Sequence, residues 1–309
     1  MGAMLSRPGV GTPEATATPS LRPARILDAM TAAAAIDLLA TRPFVALTGA
    51  GMSTDSGIPD YRGPGSVHRT PMTYGDFVSG PAAQQRYWAR SHLGWSRMRH
   101  AEPNDGHRAL ADLEAAGRLR LLITQNVDGL HEATGSRAVC ALHGRISEVV
   151  CLGCRAVTSR ASLHERMAAL NPGWGQSHAD APVRPDGDVD LDDTAAFRVP
   201  ACAGCGGVLK PDVVFFGENV PKPRVARCFA AVDALDPDRD ALLVLGSSLT
   251  VMSGFRFVRH ATRRGLPVVV VNRGPTRADD LDVLKVEHGT SEFSRALAGR
   301  VGAEASYAG

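Results

Sequence analysis

Four cysteines fall into two Cys-x-x-Cys pairs, Cys151 with Cys154 and Cys202 with Cys205. Two such pairs can offer four thiolates to one tetrahedral zinc ion, a closed set that holds structure and leaves no coordination position for chemistry. Redox dithiols or local disulfides are the other use of the pattern, but the pairs bracket an apparent insertion, which favours zinc. Gly49-Ala50-Gly51-Met52-Ser53 carries the small residues that let a backbone approach a pyrophosphate at a helix N-terminus. Position 54 is Thr, so the third glycine of the dinucleotide fingerprint is absent and a plain tight turn explains this run equally well. Asn126 and Asp128 could hold ribose hydroxyls with an amide and a carboxylate, or could simply cap a helix. His143, in Ala141-Leu142-His143-Gly144, is a candidate general base, since a neutral imidazole suits that role near pH 7. Taken alone, a histidine is more often structural or exposed to solvent.

Four short apolar runs precede these polar residues: Phe44–Thr48, Leu121–Thr124, Ala241–Leu245 and Pro267–Val271. Runs of this kind form parallel strands buried on both faces. Each ends in small or polar residues: Gly49-Ala50-Gly51, Gln125-Asn126, Gly246-Ser247-Ser248 and Asn272-Arg273-Gly274. Helical stretches at Ile26–Ala40, Gly106–Ala116 and Gly254–Arg264 are spaced between and around them. The pattern predicts an α/β fold with a doubly wound, Rossmann-like parallel sheet whose four turns converge on a ligand. A helical insertion, Gly63–Glu102, and a zinc-ribbon module interrupt it. The expected boundaries are a disordered tail at 1–22, the Rossmann-like domain at 23–145 and 210–300, the zinc module at 146–209 and a tail at 301–309. The helical segment 60–102 is expected to go with the Rossmann-like domain.

The chain has 309 residues, with 34 Lys and Arg against 32 Asp and Glu. This balance, without an aromatic and basic stripe, argues against direct binding to nucleic acid. No apolar run approaches the roughly 18–20 residues of a membrane span. Six cysteines are too few to staple a chain of this length, so a reducing compartment is expected. The Ala-, Arg- and Gly-rich composition suggests a bacterial, cytoplasmic protein. Arg7 and Arg22 in an acid-poor tail leave a mitochondrial transit peptide as the minor alternative.

The ordered motifs together resemble the sirtuin family. Gly49 to Arg62 (GAGMSTDSGIPDYR) is similar to its NAD loop, and Thr124 to His131 (TQNVDGLH), Leu142-His143-Gly144 and the zinc knuckles follow in family order. So do Leu209 to Glu218 (LKPDVVFFGE) and Gly246-Ser247-Ser248-Leu249. The resemblance runs from about Ile26 to Leu297. It is nearest to the class II branch, which includes a mitochondrial member of animals, through Tyr61, Gly75 to Val78 and Gln85 to Arg90.

The resemblance implies NAD-dependent removal of acyl groups from protein lysine, giving nicotinamide and O-acyl-ADP-ribose, with NAD as co-substrate and one structural zinc ion. Gly49, Ala50, Gly51, Ser53, Gly246, Ser247, Ser248 and Asn272 would hold the diphosphate and adenosine. Gln125, Asn126 and Asp128 would position the nicotinamide ribose, and Ile58 with Asp60 the carboxamide. Tyr61 would shield the reactive carbon from water, and Arg62 would order the loop. His143 would be the base acting through the ribose hydroxyls, with Asn126 and Asp128 as its catalytic partners.

Val214, Phe215, Phe216, Gly217 and Glu218 would bind acyl-lysine peptides or proteins by strand addition along Val213–Phe216, a segment that could otherwise be an ordinary edge strand. Tyr87 and Arg90 could read acidic acyl groups, or could be a surface helix pair. Protein ADP-ribosyltransfer, or a non-catalytic NAD-binding zinc module, are the alternative activities.

Overall fold

The computed structural model describes residues 22–60, 71–177, 191 and 193–307. Tyr61 and Arg62 lie outside the described residues, as does the tail before residue 22. Helix α1 (Arg22–Ala40) leads into β1 (Phe44–Thr48). Next come α2 (Tyr74–Val78), α3 (Pro81–Met98), α4 (Asp105–Ala115), β2 (Leu119–Thr124), the single turn α5 (Leu130–Ala133) and β3 (Val139–Ala141). They are followed by β4 (Gly144–Cys151), β5 (Val157–Ser159), α6 (Arg160–Leu170), α7 (Trp174–Ser177) and β6 (Leu209–Val213). The chain then returns through α8 (Lys222–Asp233), β7 (Ala241–Leu245), α9 (Met252–Arg263), β8 (Val268–Val271), β9 (Leu284–Val286) and α10 (Thr290–Tyr307).

Six strands form one parallel sheet in the order β3-β2-β1-β7-β8-β9. β1, β7 and β8 are buried along their whole length, which is why they read as unbroken apolar runs. The strand pleat sorts their side chains into two cores. Phe44 and Ala46 of β1 pack with Leu39 of α1, Leu113 of α4 and Phe293 of α10. Val45 and Leu47 pack on the opposite face with Val232 of α8 and Phe257 of α9. Each fully buried side chain of this size contributes about 2 kcal/mol of transfer free energy. The chain winds outward from β1 in one direction and from β7 in the other. A crevice therefore opens at the carboxyl ends of β1 and β7, where the connections diverge.

A second sheet, antiparallel, has the order β5-β4-β6. Its core is built with the helical insertion: Phe77 of α2 and Trp88 of α3 pack with Val149 and Cys151 of β4, Leu163 and Met167 of α6, Phe197 and Leu209. The Trp88 indole N–H donates to the Leu209 carbonyl at 2.9 Å. Helices α2 and α3 thus complete the small module, whereas the sequence assigned them to the Rossmann-like domain. β4 starts at Gly144 and β6 runs to Val213, so the module extends a little beyond 146–209 at both ends.

Three further expectations are corrected. α10 continues to Tyr307, so the stretch from 301 is helical and not a tail; Leu297 and Val301 anchor it in the core. β2 begins two residues earlier than expected, at Leu119. The strand expected over Val213–Phe216 ends at Val213, and Phe216 pairs instead through an isolated parallel bridge to Thr73.

Candidate active site and metal centre

A cavity of about 720 Å³ occupies the crevice beyond β1 and β7. Two backbone turns meet there. The Gly51 N–H donates to the Gly246 carbonyl at 2.9 Å, and the Gly49 N–H to Leu245 at 3.0 Å. Gly246 has φ +62°, and a Cβ there would lie 2.5 Å from the Gly51 carbonyl carbon. A Cβ on Gly49 would lie 2.7 Å from the Gly246 oxygen. These glycines are therefore required first by the close approach of one turn to the other.

All the described residues expected to bind cofactor line this cavity: Gly49, Ala50, Gly51, Ser53, Ile58, Asp60, Gln125, Asn126, Asp128, Gly246, Ser247, Ser248 and Asn272. The donor set suits a dinucleotide. Among the described residues, no acceptor takes the backbone N–H of Ala50, Ser247 or Ser248, and three free donors at one wall are what a diphosphate needs.

Deeper polar groups are pre-set by hydrogen bonds. The Ser53 hydroxyl donates to Asp128 Oδ2 at 2.8 Å and accepts from Asn126 Nδ2 at 3.0 Å. Asn126 Nδ2 also donates to the Gly49 carbonyl at 3.0 Å, and Leu130 N–H to Asp128 Oδ1 at 2.9 Å. Burial raises the Asp128 carboxyl above its usual pKa, while the bonds from Leu130 and Ser53 favour its charged form. Gln125 Oε1 accepts from the Ser247 hydroxyl at 2.7 Å, locking the residue that follows β2 to the turn after β7.

His143 sits between β3 and β4. Its Nδ1 is 2.9 Å from the Gln125 carbonyl oxygen, an acceptor, so Nδ1 carries the proton. Nε2 is then the basic nitrogen, and it accepts from the Ser253 hydroxyl at 2.7 Å. Burial holds the ring pKa down at about 4, so the imidazole is neutral at pH 7. Ser253, in the first turn of α9, went unnoticed in the sequence. Its one signal was its position at the start of the helix that follows the Gly246 turn.

Val214, Phe215, Phe216, Gly217 and Glu218 also line the cavity. The Val214 N–H donates to the His143 carbonyl at 2.8 Å, so this segment is tied to the candidate base by backbone. Glu218 is held by Lys210 at 2.9 Å and by the Phe215 N–H. Ile58, Met98, Ile146, Val213 and Phe215 form an apolar part of the wall.

Tyr87 and Arg90 part company. Tyr87 lines the cavity, its ring 5.5 Å from Phe77 and 5.1 Å from Phe215 between centroids. Arg90 is not among the lining residues; its Nε and one terminal nitrogen donate to the Leu191 carbonyl at 3.0 and 2.8 Å. The expected pair for acidic acyl groups is not assembled, because the guanidinium is used to hold the chain near residue 191.

The four sulfurs of Cys151, Cys154, Cys202 and Cys205 lie within 4.8 Å of one another. Cys151 and Cys205 are 3.5 Å apart, and Cys154 and Cys202 3.9 Å. Tetrahedral zinc with bonds of about 2.3 Å requires sulfur separations near this range, so the set fits one ion with every position filled by protein.

The model of the Sir2 family matches residues 49–253. "NAD-dependent protein deacetylase 1" of Mycobacterium avium (strain 104) is 53% identical over 266 residues, covering 85% of this chain and 93% of the relative. "NAD-dependent protein deacetylase 1" of Streptomyces coelicolor is 54% identical over 254 residues, covering 81% and 83%. A solved structure described as "Sir2-p53 peptide-NAD+" superposes with a TM-score of 0.67 at 30% identity, covering 87% of this chain and 98% of that one.

Proposed function

The chain belongs to the Sir2 family, and on that premise we propose how its residues divide the work of an NAD-dependent protein-lysine deacylase. The carrying observation is His143: buried, neutral, with its proton fixed on Nδ1 and its basic nitrogen facing a hydroxyl in the cavity. NAD, when bound, supplies a ribose carbon made electrophilic by the departure of nicotinamide.

Ala50, Ser247 and Ser248 bind the diphosphate through backbone N–H groups. Asn126, Ser53 and Asp128 form one hydrogen-bonded unit that orients the ribose hydroxyls, its groups already aimed before substrate arrives. His143 Nε2 takes a proton from a ribose hydroxyl, exchanging the Ser253 hydroxyl for that of the substrate. The four-cysteine zinc ion holds the small module and takes no part in the chemistry.

The segment Val214–Glu218 binds the acyl-lysine peptide. The apolar wall of Ile58, Met98, Ile146 and Phe215 favours uncharged acyl groups, and Arg90, the arginine expected to read a carboxylate, is engaged elsewhere. Among the described residues no helix is long and apolar enough to cross a membrane. The relatives named above are bacterial, which favours a cytoplasmic setting over a mitochondrial one.

The test is mass spectrometry after incubation with NAD and peptides bearing acetyl, succinyl, hydroxymethylglutaryl, long-chain or lipoyl lysine. O-acyl-ADP-ribose from an uncharged acyl peptide supports the reading. Nicotinamide release without acyl transfer on any peptide would replace it with ADP-ribosyltransfer or NAD hydrolysis.

A further inference from the structure

Two arginines line the cavity, Arg256 and Arg273. Arg273 has Glu292 at 3.9 Å. Among the described residues the Arg256 side chain has no carboxylate partner and one hydrogen bond, from Nε to the Met252 carbonyl at 3.3 Å. That bond leaves both terminal nitrogens of the guanidinium available, the face that grips a carboxylate bidentately. The carboxylates nearby are already committed. Glu218 is held by Lys210, Asp212 by Arg224 at 2.7 Å, and Asp128 by Ser53 and Leu130.

Position narrows the ligand. Met252, Ser253 and Arg256 are spaced i, i+1 and i+4 at the start of α9, and all three line the cavity. Ser253 reaches His143 Nε2, and the charge of Arg256 acts on the His143 ring. Arg256 therefore stands at the acyl-transfer end of the cavity. The mouth at this end carries two exposed apolar side chains, Phe216 at 39% and Met252 at 39%. Phe216, within the peptide segment Val214–Glu218, and Met252, one turn before Arg256, give apolar surface to the wall that also carries this guanidinium, which is without a carboxylate partner among the described residues; together they suit an extended peptide that carries a negative charge.

We propose that Arg256 is a specificity residue that selects acyl-lysine peptides with an aspartate or glutamate close to the modified lysine. This rests on the deacylase reading above and adds to it a class of substrate. The carboxylate displaces water from the guanidinium terminus and pairs with it, while the acyl-lysine enters toward His143. A partly exposed pair of this kind is worth about a fivefold preference, and salt weakens it.

The experiment compares two acetyl-lysine peptides that differ only in acidic or alanine residues flanking the lysine, with zinc-loaded wild-type protein and with Arg256→Met. Binding is read by fluorescence anisotropy without NAD, and kcat/KM with NAD. The wild type is expected to favour the acidic peptide about fivefold in both readouts, less at high salt, and the variant to bring the ratio near one. An acidic preference in binding without any turnover would keep this proposal and remove the deacylase reading. A ratio near one in the wild type, or a ratio that Arg256→Met leaves intact, overturns it. So does a variant whose main defect is a raised KM for NAD, because the guanidinium would then serve the cofactor phosphates.

Discussion

His143 Nε2 lies 2.7 Å from the Ser253 hydroxyl, while Nδ1 is spent on the Gln125 carbonyl. The two contacts fix the tautomer and leave one basic nitrogen, guarded by a group that can be displaced. Burial keeps the ring pKa near 4, so the base form is fully present at any pH well above that value. The acid limb of kcat/KM should therefore lie near pH 4 to 5, with a flat profile from pH 6 to 8, where an ordinary histidine would already titrate. His143→Ala should lower kcat by about 10²–10⁴. A limb at pH 6.5 in a pH-rate profile would show that the ring is not buried as described.

Gly246→Ala places a Cβ against the Gly51–Met52 backbone at a φ of +62°. Neither backbone can yield without opening the two turns that hold the cavity wall. The expected cost is roughly 2 kcal/mol of stability, with a raised KM for NAD. Denaturant melts and NAD titrations would check both, and a variant with wild-type KM would sink the idea that these turns shape the cofactor wall.

Removing zinc should unfold the small module before the parallel sheet, because Cys151 is both a ligand and a member of the module's core. Chelation is expected to lower the melting temperature and abolish peptide binding, and zinc should restore both. Metal analysis of the purified protein should give one zinc per chain. A chelated protein with an unchanged melt and activity would contradict this.

Arg90→Ala should leave the ratio of acetyl to succinyl turnover unchanged, since Arg90 holds the Leu191 carbonyl and not the cavity wall. Its expected effect is a stability loss of about 1 kcal/mol, the usual worth of such hydrogen bonds. A selective loss of succinyl turnover would return Arg90 to the acyl site.

The sequence announced the elements that are buried on both faces. β1 and β7 have the expected limits because every residue in them is apolar or small and fully covered. β3 and β9 went unseen, since three residues carry no period and only their neighbours define them as strands. The place of α2 and α3 was also illegible: Phe77 and Trp88 find their partners at Val149, Leu163 and Leu209, far along the chain. The site was read from family order more than from local chemistry; its described residues gather at the cavity or the cysteine cluster apart from Arg90, while Tyr61 and Arg62 lie outside the described residues. Ser253 and Arg256 were missed because no motif marks them; they matter through the face of α9 that turns toward His143.

β4 begins at Gly144, next to the candidate base, and ends at Cys151, the first metal ligand. Eight residues of extended chain span about 25 Å, so the metal centre and the base stand at opposite ends of one strand, whose pairing with β6 shifts register between Gly144 and Val149. Coulomb energy falls with distance, so at that separation the ion's charge acts on the proton at Nε2 far more weakly than a neighbouring group would. What the metal contributes is an anchor for the far end of the strand, while the near end is held locally, by the Val214 N–H on the His143 carbonyl and the Gln125 carbonyl on Nδ1.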